Sequence, residues 1–272
     1  MWNDFRGRSV LVTGGTRGIG LAAGLAFGRR GADVTLTYKF GPDDEGAILA
    51  AFAAAGASAP ALVQADASRD DDVTGVLARI RERHAQLDVL VSNVAFGVPV
   101  TGVDGYSKRA LLTGIEHSAW PIVSHVTAAQ AIFGAAPRYV VGVSSEGAES
   151  MHVGYDLIAA AKAALETLCR YLHYRLHPAG TTVNVVRTRF VDTASLAATF
   201  GDEFAPFVRR YEPDVLTAPD TVAEAIYGLC AGPMDAVGGQ VITVDGGAAL
   251  FENFSRLFQE RHLHPLTPKE TP

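Results

Sequence analysis

The sequence predicts an α/β fold: one doubly wound parallel sheet with helices on both faces. Three observations lead there. Short β-branched, apolar runs alternate with longer Ala- and Leu-rich segments along nearly the whole chain, the rhythm of parallel strands joined by crossover helices. The first run passes through a glycine-rich turn straight into a helix-forming segment. That is the setting in which glycines let a backbone approach a phosphate. A length of 272 residues with 48% apolar content suits one core in one domain, 1–272.

Taken in order, Ser9 to Thr13 is the first strand, Gly14-Gly15-Thr16-Arg17-Gly18-Ile19-Gly20 the turn, and a helix follows to Arg30. The helix N-terminus offers N–H groups and partial positive charge to an anion. Gly31 to Lys39 is the second strand. In such a sheet an acidic residue at this strand's end holds the ribose 2′-hydroxyl of NAD. Tyr38 and Lys39 stand there instead. Lys39, with Arg17 in the turn, would attract a 2′-phosphate, so NADPH is expected over NADH; otherwise both are ordinary solvated charges.

Asp43 to Ala59 reads as a helix, Ala61 to Asp66 as the third strand, Val73 to His84 as a helix and Leu87 to Val91 as the fourth strand. Residues 96–110 carry Gly97, Pro99, Gly102 and Gly105 and read as a substrate-side loop. One long helix is expected from about Arg109 to Phe133. Tyr139 to Val143 is a buried strand leading into Ser144-Ser145-Glu146, then Tyr155 and a helix from Ala159 with an apolar face at Ala161, Leu165, Leu168 and Leu172. A serine, a tyrosine and Lys162 thus gather where a strand ends and a helix begins, the edge at which open α/β sheets bind ligands. Thr182 to Val186 is the sixth strand, Asp220 to Cys230 a helix, and Gln240 to Gly247 the last strand with a tight turn. Leu250 to Phe258 reads as a further helix, and the tail from about 259, with three prolines after His262, as flexible.

Composition excludes several classes. Net charge is −6 and no basic block occurs, so no nucleic-acid partner is expected. No apolar run is long enough to span a membrane. Cys169 and Cys230 fall in apolar helical patterns and read as buried thiols of a reducing, cytoplasmic compartment. His173 and His177 stand at i and i+4 but lack a third ligand nearby, so no metal is expected.

The spacing Gly14-x-x-x-Gly18-x-Gly20 together with Ser145 and Lys162 resembles the short-chain dehydrogenase/reductase family, over residues 6–248. That family usually has Tyr-x-x-x-Lys, and Ile158 occupies the tyrosine position here. Tyr155, three residues earlier, gives Tyr-x6-Lys, which resembles the enoyl-acyl-carrier-protein reductases. The resemblance implies a Rossmann-type fold with Tyr155, Lys162 and Ser145 as catalytic residues. It implies that Gly14, Thr16, Arg17, Gly18, Ile19, Gly20, Tyr38, Lys39, Asp66, Ala67, Asn93, Lys162, Val191 and Thr193 line the cofactor. Asp66 would contact adenine or simply cap with Ser68; Lys162 would hold the nicotinamide ribose and lower the tyrosine's pKa.

Two positions depart from the family pattern: Glu116 stands where an asparagine usually holds a relay water, and Thr188-Arg189 replaces a Pro-Gly turn. Arg189 would meet an anionic substrate group or pair with a surface carboxylate. Residues 188–218, with Phe200, Phe204 and Phe207, would form a lid over an apolar acyl chain, or these aromatics simply fill core. Further implications are an acyl substrate, free or delivered by acyl-carrier protein, and a homotetramer or dimer formed through 109–133 and 159–176. Three readings follow. The first is an NADPH-dependent enoyl thioester reductase, the second a ketone reductase of a specialised pathway, the third a non-catalytic nucleotide-binding relative.

Overall fold

The computed structural model describes residues 4–41 and 44–251 and positions 255, 258, 259 and 262. In chain order they form β1 (Ser9–Val12), α1 (Gly18–Gly28), β2 (Asp33–Tyr38), α2 (Glu45–Ala54), β3 (Ala61–Gln64), α3 (Asp70–Arg81), β4 (Val89–Ser92), α4 (Lys108–Ser118) and α5 (Trp120–Phe133). Then come β5 (Tyr139–Ser145), α6 (Asp156–Leu176), β6 (Thr182–Thr188), β7 (Phe190–Val191), α7 (Ala194–Phe200), α8 (Phe204–Tyr211), β8 (Leu216–Thr217), α9 (Pro219–Cys230) and β9 (Val241–Val244).

Seven strands make one sheet in the order β3-β2-β1-β4-β5-β6-β9, every neighbouring pair parallel. Because side chains alternate along a strand, Val10 and Val12 enter one buried layer and Leu11 the other. In the same way Val89 and Val91 part from Leu90. Helices α1, α2 and α9 cover the first layer; α3, α5 and α6 cover the second. Burial on both faces explains the unbroken apolar runs. Each fully buried Val or Leu contributes about 1.5–3 kcal/mol. The chain runs outward from β1 to β3 and returns to β4 on the other side of β1. The crevice at that reversal, beyond the carboxyl ends of β1 and β4, is where such sheets bind ligands.

Several boundaries differ from the sequence expectation. The expected 109–133 helix is two helices, broken at Ala119 (φ −112, ψ −46). Pro121 sits in the first turn of α5, where its missing N–H has no helical partner to lose. Helix α6 starts at Asp156 rather than Ala159, so Tyr155 is its N-cap residue. Strand β6 runs on through Arg187 to Thr188, and β7 and β8 add an unforeseen parallel pair. Asp44 caps α2 by accepting from the Ala47 N–H at 2.9 Å, which fixes that helix's start.

Ala248–Leu250 is a single 3₁₀ turn. Residues 252–254, 256 and 257 of the helix expected to Phe258, and the tail beyond His262, lie outside the described residues. Cys169 and Cys230 are buried and unpaired as disulfides. Among the described residues no helix is long and apolar enough to cross a membrane, and no group of three or more His, Cys, Asp or Glu could hold a metal.

Candidate active site

The crevice begins at the glycine turn. Gly18 has φ +53, open to glycine at no steric cost. A Cβ on Gly20 would collide with the Gly14 carbonyl oxygen. Asn93, just past β4, donates its side-chain N–H groups to the carbonyls of Thr13 (3.1 Å) and Gly14 (3.0 Å), tying the turn to the next strand. Arg17 precedes α1 without a side-chain cap, so the first N–H groups of that helix face the crevice without a cap of their own. A pyrophosphate fits such a cradle. Ile19 packs against the first core layer. Thr193 caps α7 by accepting from the Leu196 N–H at 3.3 Å, and its methyl would lie 3.2 Å from a Cβ on Gly18. Glycine turn and post-β7 segment therefore meet, with Val191 buried in β7.

At the outer end of the crevice Lys39 is not a simple surface charge. Its Nζ lies 2.6 Å from Asp66 Oδ2. Asp66 Oδ1 accepts from the Ser68 N–H at 3.0 Å and its hydroxyl at 2.7 Å. Partial burial would raise the Asp66 carboxyl, but the bonds from Lys39 and Ser68 outweigh it and hold it at about 2. Asp66 thus both turns the chain with Ser68 and partners Lys39. Tyr38 ends β2, and Ala67 is buried beside Asp66.

At the inner end, Ser145 closes β5 and Tyr155 opens α6. Ser145 Oγ accepts the Gly147 N–H at 3.3 Å and lies close enough to the Tyr155 phenol to influence it. Burial pushes the Tyr155 hydroxyl above its ordinary value, and the Ser145 bond pulls the other way. The expected lowering by Lys162 is replaced by these two effects. Lys162 is buried and donates to the Val143 carbonyl at 2.7 Å, under the end of β5. Desolvation lowers its ammonium to about 8, with Glu166 opposing. Ile158 is buried and packs so closely on Gly97 that a Cβ there would clash with it. The position of the family's usual tyrosine is therefore apolar.

Tyr155 lies under an aromatic roof. Phe200 stacks on it with centroids 6.3 Å apart and planes 13° apart. Phe204 stacks on Phe200 at 4.7 Å, and Phe190 meets both edge-on. Phe207 does not join them: it is exposed and packs on Tyr211. Arg189, left open between substrate and surface partners, faces a buried carboxylate. Its Nε lies 3.0 Å from Glu146 Oε2, and it donates through Nη1 to the Ala248 carbonyl at 3.1 Å. Glu116 is exposed; the polar group α4 turns inward is Ser118, whose hydroxyl donates to the Phe96 carbonyl and accepts its N–H, both at 2.9 Å.

Sequence reasoning missed a buried charge network behind the site. Arg187 donates twice to Glu166, at 3.0 and 2.7 Å, and also to Glu149. Ser144 donates to Glu166 at 2.8 Å. Its one signal was an arginine inside an apolar strand. His173 and His177 stack at 5.6 Å, and His173 packs against Gly238 and Gly239.

A family model described as enoyl-(acyl carrier protein) reductase matches residues 14–249. The 1-cyclohexenylcarbonyl-CoA reductase of Streptomyces collinus is 30% identical over 88% of this chain and 86% of its own length. The cis-4-hydroxycyclohexanecarboxylate dehydrogenase of Sinomonas cyclohexanicum is 31% identical over 91% of this chain and 98% of its own. A short-chain dehydrogenase from Burkholderia cenocepacia, solved in complex with NADP, superposes with a TM-score of 0.78 at 28% identity, covering 90% of this chain and 99% of that one. The glycine turn, the sheet order and these matches together establish that the chain belongs to the short-chain dehydrogenase/reductase family of oxidoreductases, on its enoyl-(acyl carrier protein) reductase side.

Proposed function

We propose that the protein reduces the activated carbon–carbon double bond of an enoyl thioester at the expense of NADPH. The observation that carries this reading is the Tyr155–Ser145 pair at the start of α6, with buried Ile158 one turn further on. Bound NADPH supplies the hydride. A carbonyl carbon beside Ile158 and Gly97 would find apolar surface where its oxygen needs a proton donor. An enoyl β-carbon needs no donor there, because charge develops on the thioester oxygen three bonds away. Tyr155 donates a hydrogen bond to that oxygen as the enolate forms, Ser145 orients the phenol, and the α-carbon then takes a proton from solvent to give the saturated thioester. Lys162 keeps one N–H on Val143 and turns the others to the nicotinamide ribose. The roof of Phe190, Phe200 and Phe204 acts as a lid that excludes water and suits an apolar acyl group.

The Streptomyces relative, a reductase of a cyclic enoyl thioester by its name, supports the substrate class. Lys39 and Arg17 support NADPH, with the thioester carried on coenzyme A or acyl-carrier protein. Exposed Trp120, Tyr171 and Tyr174 on α5 and α6 support a homodimer or tetramer through those helices. Ketone reduction is the second reading. It is favoured by the Sinomonas relative, and it requires Tyr155 to swing toward the place of Ile158. NADPH consumption with a crotonyl thioester beside a β-ketoacyl thioester separates the two. Turnover of the ketone alone would overturn the enoyl reading.

Lys162 sets an alkaline limit on this activity. Its folded value of about 8 lies below its ordinary 10.5, because burial disfavours the ammonium. The charged form therefore opposes folding at neutral pH, and that penalty fades as pH rises toward 10.5. Catalysis has the opposite dependence, since ribose binding uses the ammonium. The expected result is a kcat/KM that falls above about pH 8 while the fold becomes no less stable from this group. A profile flat to pH 10 would remove Lys162 from the reaction.

A further inference from the structure

We propose that His117 is a further ligand for the cofactor's 2′-phosphate, beyond Lys39 and Arg17, and that binding of this phosphate is coupled to protonation of the His117 ring. The inference rests on the nucleotide-binding half of the proposed function. It deepens that half by naming a residue that neither the glycine turn nor the end of β2 supplies.

His117 stands in the last turn of α4, 78 positions along the chain from Lys39, yet the two side chains meet. Its Nδ1 lies 3.0 Å from the Thr113 carbonyl oxygen. A carbonyl only accepts, so the proton of the neutral ring is on Nδ1 and Nε2 is an acceptor. Nε2 lies 3.4 Å from Lys39 Nζ and 3.4 Å from Ser68 Oγ. The single Ser68 hydroxyl proton goes to Asp66 Oδ1 at 2.7 Å. The donor toward Nε2 is therefore the Lys39 ammonium, which also bonds Asp66 Oδ2 at 2.6 Å. Lys39 is held between the Asp66 carboxylate and the His117 ring, and its charge is already met by Asp66.

A 2′-phosphate changes that balance. It brings a charge of about −1.5 to −2 to the ends of β2 and β3, where Lys39 is engaged by Asp66. Protonating His117 supplies a further cation beside Lys39 and turns Nε2 from acceptor to donor. Without an anion between them, the ring and Lys39 would repel at their present separation of 3.4 Å. With a phosphate there, both point donors at the same oxygens. Proton and phosphate therefore favour each other. The other groups around the ring are consistent with this. Phe96 lies 5.5 Å away, tilted, and contributes no charge. Asp72 is engaged by the Asp66 N–H at 2.8 Å. The Ser68 oxygen can accept from a protonated Nε2.

The experiment is calorimetric titration with NADP+ and with NAD+ at pH 7.5, in buffers of different ionisation enthalpy, for the parent protein and His117→Gln. The buffer dependence gives the protons exchanged on binding. The parent is expected to take up protons with NADP+ and not with NAD+. A 2′-phosphate alone would give the opposite sign, releasing protons as the cations strip it, since its second pKa is about 6. His117→Gln should lose the uptake and bind NADP+ roughly tenfold or more weakly, with NAD+ affinity unchanged. Equal proton exchange for the two nucleotides in the parent overturns the proposal without any variant. So does uptake that survives in His117→Gln. Binding of neither nucleotide would sink the nucleotide-binding reading and this inference with it.

Discussion

Arg187→Ala is expected to unfold about 3–5 kcal/mol more readily than the parent in urea. Arg187 is 8% exposed near the carboxyl end of β6, and Glu166, on the inner face of α6, is 4% exposed. Two N–H donors of the guanidinium face the two carboxylate oxygens, the fork geometry that makes such pairs strong. Truncation to alanine leaves buried Glu166 without its guanidinium partner, with only the Ser144 hydroxyl, among the described residues, bonded to it and the Lys162 charge nearby. That cost is the desolvation of an orphaned charge, not the worth of the pair. The double variant Arg187→Met with Glu166→Leu should therefore recover most of the loss, because apolar replacement of a whole buried pair is often neutral or stabilising. Arg187→Ala within about 1 kcal/mol of the parent would mean that water reaches Glu166 freely.

Tyr155→Phe should lower enoyl turnover by about 10²–10³-fold, the range seen when one donor to a developing oxyanion is lost. The change removes one oxygen and leaves the ring on Phe200, so the aromatic roof and the cofactor crevice stay as they are. A bond made mainly in the transition state affects kcat and kcat/KM alike. Both should drop together, with nucleotide affinity unchanged. A rise in KM at constant kcat would instead make Tyr155 a binding residue. Retention of full activity would leave the proton donor elsewhere.

How much of this was legible depends on the distance over which each feature is encoded. The strands could be read because burial on both faces writes them as continuous apolar runs, as in Val10-Leu11-Val12 and Val89-Leu90-Val91. The glycine turn could be read because its steric needs are local. The helix break at Ala119 had one local sign, Pro121, which a helix interior does not accept but a first helical turn does; the flanking periodicity ran through it unchanged. Ser145 and Tyr155 could be paired from spacing on either side of one strand end. The Arg187–Glu166 pair could not, since its members are 21 residues apart and each alone reads as a surface charge. The one hint was Arg187 inside the largely β-branched run of β6. The Lys39–His117 contact spans 78 positions and leaves no local trace.

The helices over Tyr155 do not share the two large cores. Val208, Val215 and Ala248 form a small cluster of their own, with Phe190, Phe204 and Leu216 packed on it. Three buried side chains can hold only a small share of the stability stored in the sheet layers. This segment can therefore melt as a unit while the sheet stays intact. In amide hydrogen exchange, α7 and α8 should lose protection at a free energy far below that of β4 and β5. The nicotinamide end of the crevice would then be exposed by partial unfolding rather than by a hinge, and the rate of that opening would limit how fast a bulky acyl group can enter or leave.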